Sequence, residues 1–478
     1  MSAAARGDDG YAAVERLAAA LAAAPAQPPP APRRPDLARM NYDQHRAFRQ
    51  RAAATLWRDG DGRFAIEAVP AGYLFPAPVA ISIVDGGAAA PLEARARDFV
   101  WPEGFAPAAD EPVDLAGFRI LHPLHQAGHW DEVAVFLGAS YFRLIGRHQA
   151  YGASARGLAI DAGLPDEEFP AFRRFWILRP PPQARALVFH ALLDSPSVAG
   201  AYRFVLTPGD ATSFDVEAVL FFRRAVRQVG YAPLTSMFWR GPGDPRPAAD
   251  HRPQVHDSDG LQILGADAQW RWRALANPRR TTIESHPAPD VLGFGLIQRE
   301  RRPQAFRDDE ALYAWRPSLF VTPLAPFGAG AVQLLLLPTH DEYADNVGAF
   351  WTPAVQPAAG SRVRLHYRVA AIAGDAPALR AARAVAASAA PVDCADEGGC
   401  LRVDVAFAGR FDPAAPPTAA AAIAPGTVVA AAAQVLAADR AHAVLTIRRA
   451  DARPATLRVA LHAAGRAISE TWIGVLDR

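Results

Sequence analysis

The chain contains no lysine: all 50 of its basic residues are arginine. That excludes Schiff-base chemistry and a lysine-bearing phosphate loop. Cysteine is nearly absent as well. Cys394 and Cys400 are too few for a disulfide scaffold or for a zinc site of repeated cysteine pairs. Their spacing brackets a polar, glycine-rich turn, which leaves open either a hairpin-tip disulfide or two free thiols. Net charge is missing too, since 50 basic residues against 49 acidic ones leave +1. A broad electrostatic grip on nucleic acid or on an anionic membrane is therefore not expected. Long hydrophobic runs are lacking. The most apolar stretch, residues 419–438, is mainly alanine and is broken by Pro425, Gly426 and Gln434, so no segment reads as a membrane span. Neither a glycine-rich phosphate loop nor an internal repeat of fixed period is present.

What the chain does have is apolar residues and proline. A hydrophobic share of 51% over 478 residues is enough to bury a large core, and the length suggests two or three domains at ~150 residues each. The 43 prolines are about twice the usual share and interrupt long helices, which favours many short strands. Polar residues Asp8, Asp9 and Glu15 precede the short run Leu17 to Ala24, the reverse of a secretory signal. A short amphipathic helix over 10–24 is predicted there, followed by a proline-rich linker over 25–35. Apolar runs at 186–193 and 332–337 end in turn residues, as sandwich strands do. Composition shifts after Trp351, and 355–360 reads as a linker. Beyond it, 401–407 and 457–461 alternate apolar and polar side chains, the period of half-buried antiparallel strands. The predicted organisation is all-β: a helix and linker over 1–36, a large β domain over 37–355, and an immunoglobulin-like sandwich over 361–478.

Several familiar signatures fail. Gly152 to Gly157 lacks the spacing of a nucleophile elbow, so Ser154 reads as an ordinary serine. His122, His125 and His129 crowd together irregularly and read as surface or hydrogen-bonded histidines rather than metal ligands. Three segments stand out instead: Val255 to Leu261, Tyr313 to Pro317, and Pro338 to Val347 with Phe350 and Trp351 behind it. Carboxylates beside aromatics and arginine suit a carbohydrate site, where rings stack on sugars and two carboxyls share acid and base roles. The same patterns also describe ordinary turns and solvated loops, and spacing alone does not choose between them.

Longer stretches do choose. Asn41 to Gln44, Leu115 to Arg119, Phe136 to Arg143, Tyr151 to Asp161, Glu167 to Pro170, Ala191 to Pro196, Ala232 to Phe238, Val255 to Leu261, Gly293 to Arg299, Asp345 to Trp351 and Ser469 to Trp472 together resemble the periplasmic glucan biosynthesis proteins G and D (OpgG/OpgD, also MdoG/MdoD). The resemblance runs almost from end to end. It implies a galactose mutarotase-like β-sandwich joined to an immunoglobulin-like domain, residence in the periplasm with a signal removed ahead of the first helix, and action on β-1,2-linked glucan without a cofactor or metal. A homodimer is compatible with it.

The resemblance also implies roles. Members include anomer-inverting β-1,2-glucanases and transglycosylases that close a glucan ring. The general acid falls on Asp345. The general base falls on Asp257, acting through a water chain, so the carboxyl separation is allowed to exceed the ~6.5–9.5 Å usual for inversion. Tyr313 falls at a family position near the substrate; Arg316, His256, Glu342 and Trp351 are further candidate substrate contacts, Trp315 is a candidate for stacking, and Trp315 and Trp351 read equally as core residues. His256 and Ser258 are expected to hold Asp257 ionised. Phe350 and Trp351, or a neighbouring carboxylate such as Asp341 or Glu342, are expected to keep Asp345 protonated. The chain departs from the family segment Thr-Asn-Asp-Glu-Thr-Asn-Asp-Asn at His340, Tyr343 and Ala344. Three functions follow as alternatives: hydrolysis with inversion, transglycosylation with the same acid, and glucan binding without catalysis.

Overall fold

Proline-punctuated apolar runs become strands along almost the whole chain, and helix is confined to the N-terminus and a few short turns. This architecture comes from a computed structural model that describes residues 3–60, 62–242, 244, 247, 249–394 and 399–476. Two sheets form the large sandwich. One has ten strands and runs from Ala65–Pro70 through Leu115–His122, Asp131–Leu137, Tyr141–Leu144, Ser154–Arg156, Val229–Ser236, Val347–Pro353 and Gly330–Leu336 to Thr282–Pro287. The other has fifteen, and its centre is Leu187–Asp194, Val198–Thr207, Ser213–Phe222, Arg362–Ile372 and Ser318–Pro323.

Between the sheets lies a phenylalanine cluster. The Phe136 ring packs at 5.1–5.6 Å from those of Phe118, Phe142, Phe175, Phe189, Phe204 and Phe214, in stacked and edge-on contacts. Each ring removes a large apolar area from water, and each paired contact adds roughly 0.5–1.5 kcal/mol beyond that burial. This core fixes the sheet whose strand ends carry the site.

The N-terminal helix spans Ala3–Ala22, two turns earlier than the apolar pattern predicts, and it stops before Pro25. Tyr11, Val14 and Ala18, spaced three and four apart on one helical face, pack on Leu192, Ala201 and Val219. Arg223 donates to the carbonyls of Leu21 and Ala24 and so satisfies the helix end.

The composition shift near residue 356 is not the structural boundary. Strand Arg362–Ile372 pairs along its length with Ser213–Phe222 on one side and Ser318–Pro323 on the other, deep in the large sheet. Leu365, Tyr367, Val369 and Ala371 belong to the large core, whereas Ile372 and Ala376 belong to the second. The alanine-rich text therefore begins one strand before the second sandwich does.

That second sandwich forms as its alternation predicts. Strands Arg383–Val392, Cys400–Ala408, Arg440–Arg449 and Gly426–Ala437 make a four-stranded sheet. Its facing layer is a continuation of the fifteen-stranded sheet, through Thr471–Leu476, which pairs in parallel with Trp270–Ala274. Val403, Val405, Phe407, Leu445, Ile447, Leu457, Val459 and Leu461 fill the space between. Cys394 and Cys400 are joined in a disulfide. At the seam, Arg299 donates to both oxygens of the fully buried Glu470 and to Asp375, and its guanidinium lies 3.4 Å from the Trp272 ring. Among the described residues no helix is long and apolar enough to cross a membrane.

Candidate active site

A cleft of about 680 Å³ opens over the ten-stranded sheet. Tyr42 and His45 come from the short helix Tyr42–Ala47, which Asn41 and Gln44 cap reciprocally. Arg119, Glu132, Tyr141 and Arg143 rise from three adjacent strands, and Asp345 also lines the cleft. A smaller depression of about 130 Å³ adjoins it and shares Tyr141 and Asp345 with the cleft.

The two carboxylates meet because both hang from one short stretch of chain. Strand Phe238–Arg240 pairs with Val255–His256, and the Asp257 N–H donates to the Met237 carbonyl at 2.8 Å. On the other side, Asn346 holds the same strand. Its Oδ1 accepts from the Phe238 N–H, and its Nδ2 donates to the carbonyls of Phe238 and Leu337. Asp257 and Asp345 are thus each one residue from an anchor on 238–240.

Asp257 is buried, and its Oδ1 accepts from Arg316 Nη1. Arg316 is itself fixed, donating from Nε and Nη2 to the Ala311 carbonyl, with its guanidinium 4.4 Å from the Tyr313 ring. A side chain at position 152 would collide with the Arg316 stem at 2.7 Å, so Gly152 permits this close approach. Burial pushes the Asp257 carboxyl above the ordinary aspartate range. The Arg316 charge opposes that rise, and the Asp345 charge adds to it.

Asp345 sits differently. Its side chain is 39% exposed, and its ionic partner is Arg143, at 3.9 Å. The preceding loop is tethered through Glu342, which Arg252 grips with both terminal nitrogens at 2.6 and 3.2 Å and to which the Tyr313 hydroxyl donates. Arg252 also binds Asp250 and Asp308. Burial works against the Asp250 charge, but hydrogen bonds from Arg252 and the charges of Arg252 and Arg240 hold its carboxyl down to about 2.

Of the residues singled out in the sequence, Asp257, Arg316, Tyr313 and Glu342 fall into one connected cluster, with Asp345 facing the cleft beside it. Two candidate contacts lie elsewhere. Trp351 is wholly buried, stacked at 5.9 Å on Tyr231, with its indole N–H on the Ala288 carbonyl, so it is a core residue and no sugar reaches it. His256 is also wholly buried, bonded to Gln298 and Gln254. Its neighbour Ser258 bonds Ser236. The partner that Asp257 finds is therefore Arg316, in place of His256 and Ser258. Trp315 is 47% exposed. Asp341 accepts from the Tyr343 N–H in a turn, and Glu342 is committed to Arg252.

Tyr141, Arg143, Arg119, Tyr151, Glu132 and His45 line the cleft without having been picked out as site residues. The first four lie inside segments that carry the family resemblance, and Arg119 and Arg143 are charges within otherwise apolar strands. That was a usable signal. Among the described residues no cluster has the makings of a metal site; His122 bonds the Arg63 carbonyl, and His125 bonds Asp131.

The family described as "Periplasmic glucan biosynthesis protein, MdoG" matches residues 10–476. Glucans biosynthesis protein G of Rhodopseudomonas palustris (strain BisA53) is 46% identical over 341 residues, covering 71% of this chain and 68% of that protein. Glucans biosynthesis protein G of Shewanella sp. (strain W3-18-1) is 43% identical over 369 residues, 77% of this chain and 68% of that protein. The protein of the same name in Ralstonia nicotianae is 43% identical over 351 residues, 73% and 70%. With the family model matching residues 10–476 and relatives 43–46% identical over more than two thirds of their own length, the chain belongs to the MdoG family of periplasmic glucan biosynthesis proteins.

Proposed function

We propose that this protein cleaves β-1,2-linked glucan with inversion, using Asp345 as general acid and Asp257 as general base, in the periplasm. The observation that carries the reading is an exposed carboxylate lining a cleft, with a second, buried carboxylate near enough for the two to influence each other's ionisation. Asp345 delivers a proton to the leaving oxygen while a water attacks the opposite face of the anomeric carbon. Arg316 favours the ionised form of Asp257, and burial raises its basicity toward the pH at which it works. Since Asp257 lies beneath the surface, its proton arrives through intervening water rather than by direct contact with the attacking molecule. Arg143 and Tyr141 border the reacting bond and offer hydroxyl contacts. The Cys394–Cys400 disulfide suits an oxidising compartment.

Transglycosylation is the second reading. Tyr343, 89% exposed and two residues before Asp345, offers an acceptor sugar an aromatic face where the family segment has threonine. Incubation with linear β-1,2-glucan and mass analysis of the products separates the two. Shorter chains that each gain one water are expected. Products that lack that water favour ring closure, and unchanged glucan overturns both.

A further inference from the structure

His125, in the loop between strands Leu115–His122 and Asp131–Leu137, uses both of its ring nitrogens. The His148 backbone N–H donates to Nε2 at 3.1 Å, and Nδ1 lies 2.9 Å from Asp131 Oδ1. A backbone N–H can only donate, so Nε2 carries no proton. Burial works against the Asp131 charge, but bonds from the His125 ring and from the N–H groups of His125 and Leu124 hold its carboxyl below the ordinary aspartate range. An ionised carboxylate can only accept, so Nδ1 carries the proton. The two partners together specify one form of His125, the neutral ring protonated at Nδ1.

The turn held by this bond backs the seat of Asp257. His148 has a left-handed backbone, with φ 61°. On either side of it, the Arg147 N–H donates to the Gly209 carbonyl and the Ala150 N–H to the Trp315 carbonyl. Trp315 precedes Arg316, and Gly152 lies against the Arg316 stem, so the turn meets the partner of Asp257 at two points. We propose that His125 is an acid-released clasp on this turn, holding the His148 N–H while its Nε2 is bare and letting go when that nitrogen is protonated. Protonation sets one N–H against another, while Nδ1 keeps Asp131, so the ring stays and the turn is freed. The His125 side chain is 35% exposed, which gives protons access. The other groups facing it are His129, 3.5 Å from Asp131, the His148 ring at 4.9 Å, and Arg147, which pairs with Asp210. His122 pairs in register with Asp131 and is bonded to the Arg63 carbonyl. The clasp ties acidity to the Arg316–Asp257 pair, and for that consequence alone it rests on the glucan reading.

Hydrogen exchange read by mass spectrometry on peptides covering 145–152 tests the clasp without glucan, in the wild type, His125→Gln, His129→Gln and His148→Asn. Glutamine offers an uncharged acceptor in place of Nε2, and asparagine tolerates the left-handed backbone at 148. After correction for intrinsic exchange, wild-type protection is expected to fall about tenfold from about pH 8 to about pH 5, as for one lost hydrogen bond. The same fall is expected in His129→Gln and His148→Asn, and none in His125→Gln. Constant wild-type protection, or an equal fall in His125→Gln, overturns the clasp and leaves the glucan reading standing. Loss of the fall in His129→Gln or His148→Asn assigns the titration to another ring and overturns it too, even if His125→Gln folds poorly. Turnover on β-1,2-glucan is followed over the same range. A steeper acidic loss in the wild type than in His125→Gln is expected, and equal losses overturn the link to Arg316. Absence of turnover at every pH overturns the glucan reading and leaves the exchange result, and with it the clasp, intact.

Discussion

The two segments that carry the carboxylates are built in opposite ways. Around Asp257 the chain is dry and crossed by side-chain bonds: Gln298 donates to the carbonyls of both His256 and Tyr313, and Asp259 accepts from the N–H groups of Arg299 and Glu300. Arg299 then reaches Glu470 in the second sandwich, so the C-terminal domain braces the base segment. The loop of Asp345 is pinned at its ends, by Asn277 on Thr339 and by Asn346 on Phe238, and once between them, by Glu342 on Arg252. Its tip is in solvent. A base gains strength from a rigid, poorly hydrated seat, whereas an acid that must reach a leaving oxygen needs an open one.

Removing each carboxylate breaks the contrast most severely. Asp345→Asn keeps the shape of the side chain and removes the transferable proton, so turnover is expected to fall ~10²-fold or more while glucan still binds. Asp257→Asn is expected to do the same by leaving the water unactivated. Equal losses with intact binding, read by steady-state kinetics and calorimetry, support separate chemical roles. Retention of most activity in Asp345→Asn contradicts the acid assignment and turns attention to Asp341.

Taking away Arg316 comes next. Arg316→Met strands a buried carboxylate, and breaking such a pair costs roughly 3–5 kcal/mol, checked by denaturant unfolding. The carboxyl of Asp257 already titrates above its ordinary value because of burial, so its protonated form is the one that folding favours. Its contribution to stability is present at acid pH and is lost as pH rises through the raised value. Without Arg316 that value climbs further. The acidic limb of the pH–rate profile, which reports ionisation of the base, is then expected to move to higher pH. An unmoved limb means that Asp257 is not the group titrating.

The loop tether gives a smaller effect of opposite sign. Asp250, held down to about 2, contributes stability at pH above the ordinary aspartate value, and that contribution is lost as pH falls toward 2. Thermal unfolding between pH 5 and pH 2 is expected to show this loss in the wild type and to show less of it in Asp250→Asn. The smallest change is Tyr343→Ala. With the ring 89% exposed, stability is expected to stay within about 0.5 kcal/mol, so any shift between hydrolysed and ring-closed products reports on acceptor binding alone.

How much of this the chain announced varies with the physics of each part. The second sandwich was legible because Leu401 to Phe407 and Leu457 to Leu461 bury one face, and a half-buried strand writes a period of two. Strand Arg362–Ile372 was assigned to the wrong sandwich because composition, unlike pairing, does not say which neighbours a strand finds. Asp257 and Asp345 were singled out through resemblance, since each lies in a segment shared with a known family, and Tyr313 and Arg316 through an aromatic beside an arginine; the structure brings Asp257, Arg316 and Tyr313 into contact. Trp351 was open between two readings, because an aromatic beside carboxylates looks the same in sequence whether it walls a cleft or fills a core; its burial and its stacking on Tyr231 put it in the core.

The division of labour between an open acid and a buried base fixes the stereochemistry of the product. Proton NMR of β-1,2-glucan during the first turnovers reads the configuration of each new reducing end before mutarotation equalises it. The expected result is α-anomer accumulating first, as attack by water on the face opposite the leaving oxygen requires. Initial accumulation of the β-anomer means retention through a covalent intermediate, and it contradicts the assignment of Asp257 as a base acting through water.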